Sequence, residues 1–468
     1  MPDKSIRAQS DIVAAMARDW EMIDALMDGT AAMRAAGKKY LPQWPKEERD
    51  NYQARLDSAV LHPVFKRTVL VNAARPFSRP LTLGDGTSAQ IQDWSTDIDL
   101  QGSALGAFSV RLMVNCLSKG LIGVLVDFPK ADDIKTKAEE KARGVRPYCV
   151  EYPTNSLLGW KTQKGPNGLE LTQLRLLEQV EESAGEYGTR TVEQVRVLTP
   201  GKWEIYQPDP KDPNEWVLIS AGPTTLNVIP FVFFYGMRKG FGIGLSPLSD
   251  LAYQNVEHWQ SASDQQTILH VARVPILFAR GFGTDGKLAI GAGSIATADA
   301  EHSELKYVEH TGAAIGAGQE SIEALEDRMR ATGAELISLD VGFATATEVA
   351  SDGEATKSLL QQIVENFEKS LQQMLDLMGL WVGDTTPSKV EIYKDFGIAT
   401  TSDPGTLSGA VGSKSVSRQT HFEELQRRDV ISADRTWDDE KKRLDADAAD
   451  AAKQAAAQAK ASTQPGAN

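Results

Sequence analysis

At 468 residues the chain is long enough for two or three ordinary domains, or for one subunit with several lobes. Apolar residues at 41% and charged residues at 24% supply a real core and exclude a disordered chain. With 64 acidic against 50 basic residues the formal charge is −14. That excludes a broad phosphate-gripping face, which needs a surplus of Lys and Arg, and leaves contact with DNA to passage or to a local basic patch.

The opening MPDKSIRAQSD is polar and lacks the apolar core of a signal peptide, so a soluble, cytoplasmic product is expected. Ile12, Met16, Trp20, Ile23 and Met27 recur at helical spacing and predict a helix over 11–28. LPQWPKEERD (41–50) is a Pro-punctuated turn into a helix over 47–73, closed by Pro76 and Pro80. A third helix is expected over 103–118, capped by Ser103 and stopped at Gly120, with GLIGVLVDFP after it as a buried strand. Cys116 and Cys149 sit among apolar neighbours and read as buried thiols. Residues 130–145 are charged and read as an exposed helix or a mobile loop.

From 146 to 235 short strand-like runs alternate with Gly, Pro and Asn turns, which predicts an antiparallel meander. Residues 247–271 predict a long helix opened by Ser246 and Pro247. Its apolar stripe is thin, with Leu248, Leu251, Val256 and Trp259, then Ile268 and Leu269. A helix this polar is either solvated or packed through hydrogen bonds. VPILFARG reads as a strand and precedes a Gly-rich segment. A helix over 317–337 carries Ile322, Leu325, Met329 and Leu336. Small and hydroxyl residues at 338–355 lead into the most regular helix, 355–381, whose stripe runs Leu360, Ile363, Val364, Phe367, Leu371, Met374 and Met378. A charged helix over 418–445, an Ala-rich helix-favouring stretch and a disordered STQPGAN end complete the chain.

Motifs for enzyme chemistry are missing. Six histidines form neither HExxH nor HxH, and His258 and His270 lie too far apart on one helix to share a metal. The two cysteines make no CxxC or Cys/His cluster. GIGLSPLSD lacks the second glycine of a nucleophile elbow. GFGIGLS (240–246) has no Lys where a phosphate loop needs one and reads as a flexible loop. The pairs Asp132–Asp133 and Glu139–Glu140 lie in charge-rich surface segments. KRTVLVNAARPFSRP (66–80), with Lys66, Arg67, Arg75, Phe77 and Arg79, comes nearest to a nucleic-acid patch. A helix end whose arginines lie along apolar surface competes with that reading. The expectation is a chain with no catalytic residues, no metal site and no cofactor.

Over about residues 16–381 the sequence resembles the portal proteins of tailed bacteriophages, specifically a branch known only as a phage domain of unknown function. The blocks that carry the resemblance are DALMDGTAAMRAAGKKYLPQWPKEERDNYQARL, GLIGVLVDFP with RPYCVEYPTNSLLGW, IPFVFFYGMRKG with PLSDLAYQNVEHWQSASDQQTILHVARVPILFARG, and GFATATEVASDGEATKSLLQQIVENFEKSLQQML. It implies an α+β subunit with a wing over 1–235, β-rich at 146–235. A stem and clip over 236–337 and a channel loop over 338–354 would follow. A helix returning to the wing at 355–417 and a C-terminal crown helix with a disordered Ala-rich tail over 418–468 would close the chain. It further implies a ring of twelve copies at the capsid vertex of the virion, assembled in the host cytoplasm. The implied partners are the terminase large subunit, capsid and scaffold proteins, head-completion or tail adaptor proteins, and double-stranded DNA in transit, with no membrane. An acidic ring repels phosphates rather than holding them. Asp340, Phe343, Thr345, Thr347, Glu348, Ser351 and Asp352 would line the channel, with an ordinary interhelical loop as the alternative. A different adaptor or connector ring of the head–tail junction is the competing function, although such proteins are usually much shorter.

Overall fold

The computed structural model describes residues 5–129, 144–166, 168–272, 276–280, 302, 304–308, 313–337, 358–394, 411–413, 416–427, 431–432 and 435–462. They fall into two units, Met1–Lys394 and Asp395–Asn468.

The N-terminal helices are shorter than their spacing predicts. The stretch 11–28 forms two helices rather than one, α1 (Asp11–Met16) and α2 (Trp20–Asp28). The interruption changes which side is covered: α1 buries Val13 and leaves Ile12 exposed. Gly29, at φ +91°, separates α2 from α3 (Thr30–Ala36). The single helix expected over 47–73 is likewise two, α4 (Arg49–Ser58) and α5 (Val64–Ala74). Ala59 is extended, and Pro63 has no amide hydrogen for a helical bond. After β1 (Thr82–Leu83) and α6 (Ala89–Trp94) comes α7 (Leu105–Lys119), whose N-cap is Ala104 instead of Ser103. Gly120, in the left-handed region, ends it as expected.

β2 (Leu121–Asp127), buried except at Asp127, lies at the centre of a three-stranded antiparallel sheet, between β3 (Tyr148–Tyr152) and β9 (Phe231–Tyr235). The meander is a separate sheet of β4 (Leu157–Gly165), β5 (Gly168–Ala184), β6 (Gly188–Thr199), β7 (Lys202–Pro208) and β8 (Trp216–Pro223), paired in sequence order. The run FVFFY, expected within the β-rich series, forms β9 (Phe231–Tyr235) and pairs with β2 instead. All five of its residues are buried, a requirement that the half-solvated meander cannot meet. Leu121, Tyr152, Leu174, Leu198, Phe231 and Phe233 join the two sheets in one apolar cluster.

GFGIGLS is not a flexible loop. It lies in a hairpin of β10 (Met237–Gly240) and β11 (Ile243–Leu245) packed against the end of α7. A Cβ on Gly244 would stand 2.1 Å from the Gly120 carbonyl oxygen, so glycine is needed for this approach.

The long elements follow: α8 (Ser249–Ala272), β12 (Ile276–Arg280), β13 (Glu304–Val308), α9 (Ala313–Glu335) and α10 (Leu359–Val382). A capping box of Ser358 and Gln361 starts α10. Its stripe, Leu360 to Met378, is buried throughout. At about 1.5–3 kcal/mol per side chain this is the largest apolar contribution of any single helix here. Phe367 meets Phe234 of β9 at 5.0 Å, and Trp381 Nε1 donates to the Val126 carbonyl at 2.9 Å. β14 (Val390–Glu391) pairs with β1.

In the second unit the helix expected over 418–445 is divided into α11 (Arg418–Arg427) and α12 (Trp437–Ser462), whose Phe422 and Trp437 rings meet at 5.6 Å. The Ala-rich stretch is helical as far as Ser462. Antiparallel sheets segregated from helices make this an α+β protein, the class expected from the sequence.

Candidate functional site

The polar helix α8 is held by hydrogen bonds on two sides. Toward α9, Gln254 Nε2 donates to Thr332 Oγ1 at 3.3 Å, His258 Nε2 lies 3.2 Å from Glu326 Oε1, and Gln265 Nε2 donates to the Ile315 carbonyl at 2.9 Å. Partners that descend from 332 to 315 as α8 ascends from 254 to 265 make the two helices antiparallel. Ile322, Leu325 and Met329 of α9, with Leu251 and Trp259 of α8, bury the apolar remainder. β12 and β13 pair in register at the far end, Ile276 with Val308 and Arg280 with Glu304. The unit is a helical hairpin closed by a β-ribbon.

Toward the N-terminal helices, Asn255 does two jobs. Its Nδ2 donates to the His62 carbonyl at 2.9 Å and its Oδ1 accepts from Phe65 N at 2.9 Å. Gln260 Nε2 donates to the Tyr40 carbonyl, and Asp264 approaches Arg55 at 3.6 Å. The His62 ring lies 5.1 Å from that of His258. Burial lowers the His62 pKa, and the neighbouring His258 lowers it further. The polar segment QSASDQQ is thus packed through hydrogen bonds, with Ser263 and Gln265 buried. Sequence reasoning did not single out His62, Asn255 or Glu326; polar residues recurring at helical spacing, 254, 258 and 265, were the available signal.

The seven residues expected to line a channel, Asp340, Phe343, Thr345, Thr347, Glu348, Ser351 and Asp352, lie outside the described residues. Their flanks are described. Leu360 N, in the first turn of α10, donates to the Leu336 carbonyl, just past α9, at 3.0 Å. The two flanks therefore meet and form a closed base.

A second feature is a cleft of about 220 Å³ between the two sheets, bordered by Phe128, Tyr148, Trp203 and Trp381. In its lining Arg196 pairs with Asp127 at 2.8 Å and with Glu178 at 2.7 Å. Burial alone would depress the Arg196 pKa; Tyr152, Glu178 and Asp127 outweigh it and keep the guanidinium charged. Arg196 and these two carboxylates form one ion-paired group at the edge of the cleft.

Of the weaker sequence signals, both thiols are buried as expected, and burial pushes their pKa values up. In the basic segment 66–80, Arg79 stacks on Tyr393 at 4.4 Å and Phe77 meets Phe367 at 6.2 Å, so its aromatic and one of its arginines serve packing. Among the described residues no group of three or more His, Cys, Asp or Glu is arranged to hold a metal, and no helix is long and apolar enough to cross a membrane.

Residues 247–382 match the family described as a domain of unknown function, DUF4055. That span covers α8, the β-ribbon, α9, the closed-base segment and α10. No curated protein matches the chain. Among solved structures, a chain from "Neck of empty GTA particle computed with C6 symmetry" aligns with a TM-score of 0.42 at 13% identity, covering 85% of this chain and 98% of that one. A chain from the neck of the native GTA particle computed with C12 symmetry gives 0.41 at 12%, covering 78% and 89%. One from the virion of a native gene transfer agent particle gives 0.38 at 12%, covering 88% and 96%.

Proposed function

We propose that this chain is a structural protein of a phage-like virion and, within that class, a portal subunit. Twelve copies would form a ring at a capsid vertex, through which double-stranded DNA enters and leaves. The observation that carries the reading is the order of elements in 247–382: a polar antiparallel helix pair tipped by a β-ribbon, then a closed-base segment of small, hydroxyl and acidic residues, then a long packed helix. Stem, clip and channel loop in that order are what the sequence resemblance implies.

In this reading α8 and α9 face copies of themselves across the ring, where a helix without a broad apolar stripe pairs through polar side chains. The closed base lets the segment reach into the bore while its flanks stay packed. Carboxylates there repel phosphate, so DNA passes without adhering. The ring does no chemistry; the terminase large subunit docks on it and supplies the energy of packaging. Capsid or scaffold proteins and head-completion or tail adaptor proteins bind its other faces, and the DNA is the cargo.

Size exclusion with light scattering and negative-stain imaging of the purified full chain test this. The expected result is a ring of ten or more copies with a central hole that retains the terminase large subunit in a pull-down. A strictly monomeric protein over a range of salt and concentration defeats the reading. A ring that ignores terminase but binds tail proteins would identify an adaptor instead.

A further inference from the structure

We infer that His62 and His258 form an acid-released latch between the α8–α9 hairpin and the N-terminal helices: closed at neutral pH, it lets go as the two rings gain protons, while the rest of the unit stays folded. Histidine is the side chain that changes charge nearest neutrality. His62 lies in the linker between α4 and α5, where Ala59 is extended and Pro63 precedes the first turn of α5, so it belongs to neither helix. Its carbonyl accepts from Asn255 Nδ2 at 2.9 Å. Its ring lies against that of His258, with centroids 5.1 Å apart and planes tilted by 33°. His258 and Asn255 are both buried, so α8 presents this contact to the linker out of reach of solvent.

The charged groups that act on the His62 ring come from three elements: His258 of α8, Glu326 and Arg330 of α9, and Arg67 of α5. Glu326 is the one acid among them, and both of its oxygens are engaged. Oε1 faces His258 Nε2 at 3.2 Å, and Oε2 accepts from Arg330 at 3.0 Å. Arg330 also pairs with Asp327 at the exposed edge. With both rings protonated, His62, His258, Arg67 and Arg330 set four cations against these two carboxylates. Hydrogen bonding adds to the imbalance. A carboxylate only accepts, so His258 Nε2 carries the hydrogen and its Nδ1 is bare. That Nδ1 is buried with no hydrogen-bond partner among the described residues. A second N–H placed there finds an acceptor only when water reaches it, and water reaches it only when the seam parts.

The seam is built to part locally. Beside the latch it is joined by the side-chain hydrogen bonds of Asn255 and Gln260 to backbone groups, and by the approach of Asp264 to Arg55. Water replaces such bonds at small net cost, and segments held this way open below the free energy of global unfolding. Opening need not disturb α10, whose stripe is buried and whose Phe367 packs on Phe234 of β9. The latch follows from this seam and does not rest on the portal reading.

Hydrogen exchange of the full chain, read by mass spectrometry and corrected for the pH dependence of intrinsic exchange, tests this above and below about pH 6.5, the free imidazole value. On acidification, peptides from 59–67 and from α8 should lose protection together, at least about tenfold, while α10 keeps its own. His62→Gln, which cannot take up a proton, should abolish the loss. Arg67→Gln alters an exposed side chain and should move the loss to lower pH, which decides the matter if His62→Gln does not fold. Loss in α8 without 59–67 would mean separation from neighbouring copies, and joint loss with α10 would mean global unfolding; either result overturns the latch. So does protection that acid leaves intact, or a loss that both variants leave unchanged.

Discussion

The Arg55 guanidinium holds Glu47 in a two-pronged pair at 2.9 Å, donates to the Pro42 carbonyl at 2.8 Å and lies 4.2 Å from the Trp44 ring. Both charged side chains are about 5% exposed. Arg55→Ala leaves a buried carboxylate with no cation and is expected to cost about 3 kcal/mol, read as a shift in the denaturant midpoint at constant slope. The hydrogen bond from Arg55 holds the Glu47 pKa below the usual carboxylate value, so its contribution is complete above about pH 4.5 and fades as the pH falls through the lower folded value. His62 acts in a different window. Its pKa is lowered by burial and by His258, with Arg67 and Arg330 adding to the effect and Glu326 opposing it. The folded state therefore disfavours its proton. Stability is greatest above about pH 6.5, the free value, and declines as the pH drops below it. His62→Gln should flatten that decline below about pH 6.5 in thermal melts followed by circular dichroism; an unchanged slope would sink the assignment to this ring.

The hydrogen bond between Leu336 and Leu360 holds the end of α9 against the start of α10. Deleting residues 344–352 shortens a stretch whose described flanks already meet, and loop-closure entropy changes by only about 0.6 kcal/mol for a twofold change in length. Melting temperature and ring assembly should be unaltered, while DNA packaging in a complementation assay should fall. Packaging at wild-type yield would mean that the segment does not face the DNA. By contrast, Ser358→Ala removes the capping box of α10 and should cost about 1 kcal/mol. The sequence made α9 and α10 legible because their stripes are continuous: Ile322, Leu325, Met329 and Leu336 are all buried, as is every named position of α10. It hid the break of 11–28, where side chains at helical spacing continue across a turn that only tertiary packing sets. It also hid the placing of FVFFY, since a fully apolar run fits any strand buried on both faces and the partner, β2, lies about a hundred residues earlier. GFGIGLS was misread because glycine signals both looseness and close approach, and only the neighbour, Gly120, tells them apart.

For the assembled protein, the formal charge of −14 per chain predicts weak affinity for free duplex DNA at physiological salt. A gel-shift titration should show no retarded species below micromolar protein. Tight, sequence-specific retardation would point to a regulator and away from a conduit. The closed base also has a mechanical side. A drag on a strand anchored at two distant points turns one anchor against the other and bends what lies between. Here Leu336 and Leu360, on either side of the stretch, are joined by one 3.0 Å hydrogen bond, so under the proposed portal role a tug from cargo would have almost no lever arm. In that role the load would pass into the ends of α9 and α10, where Leu336 and Leu360 are buried, and a copy could yield without twisting its neighbours.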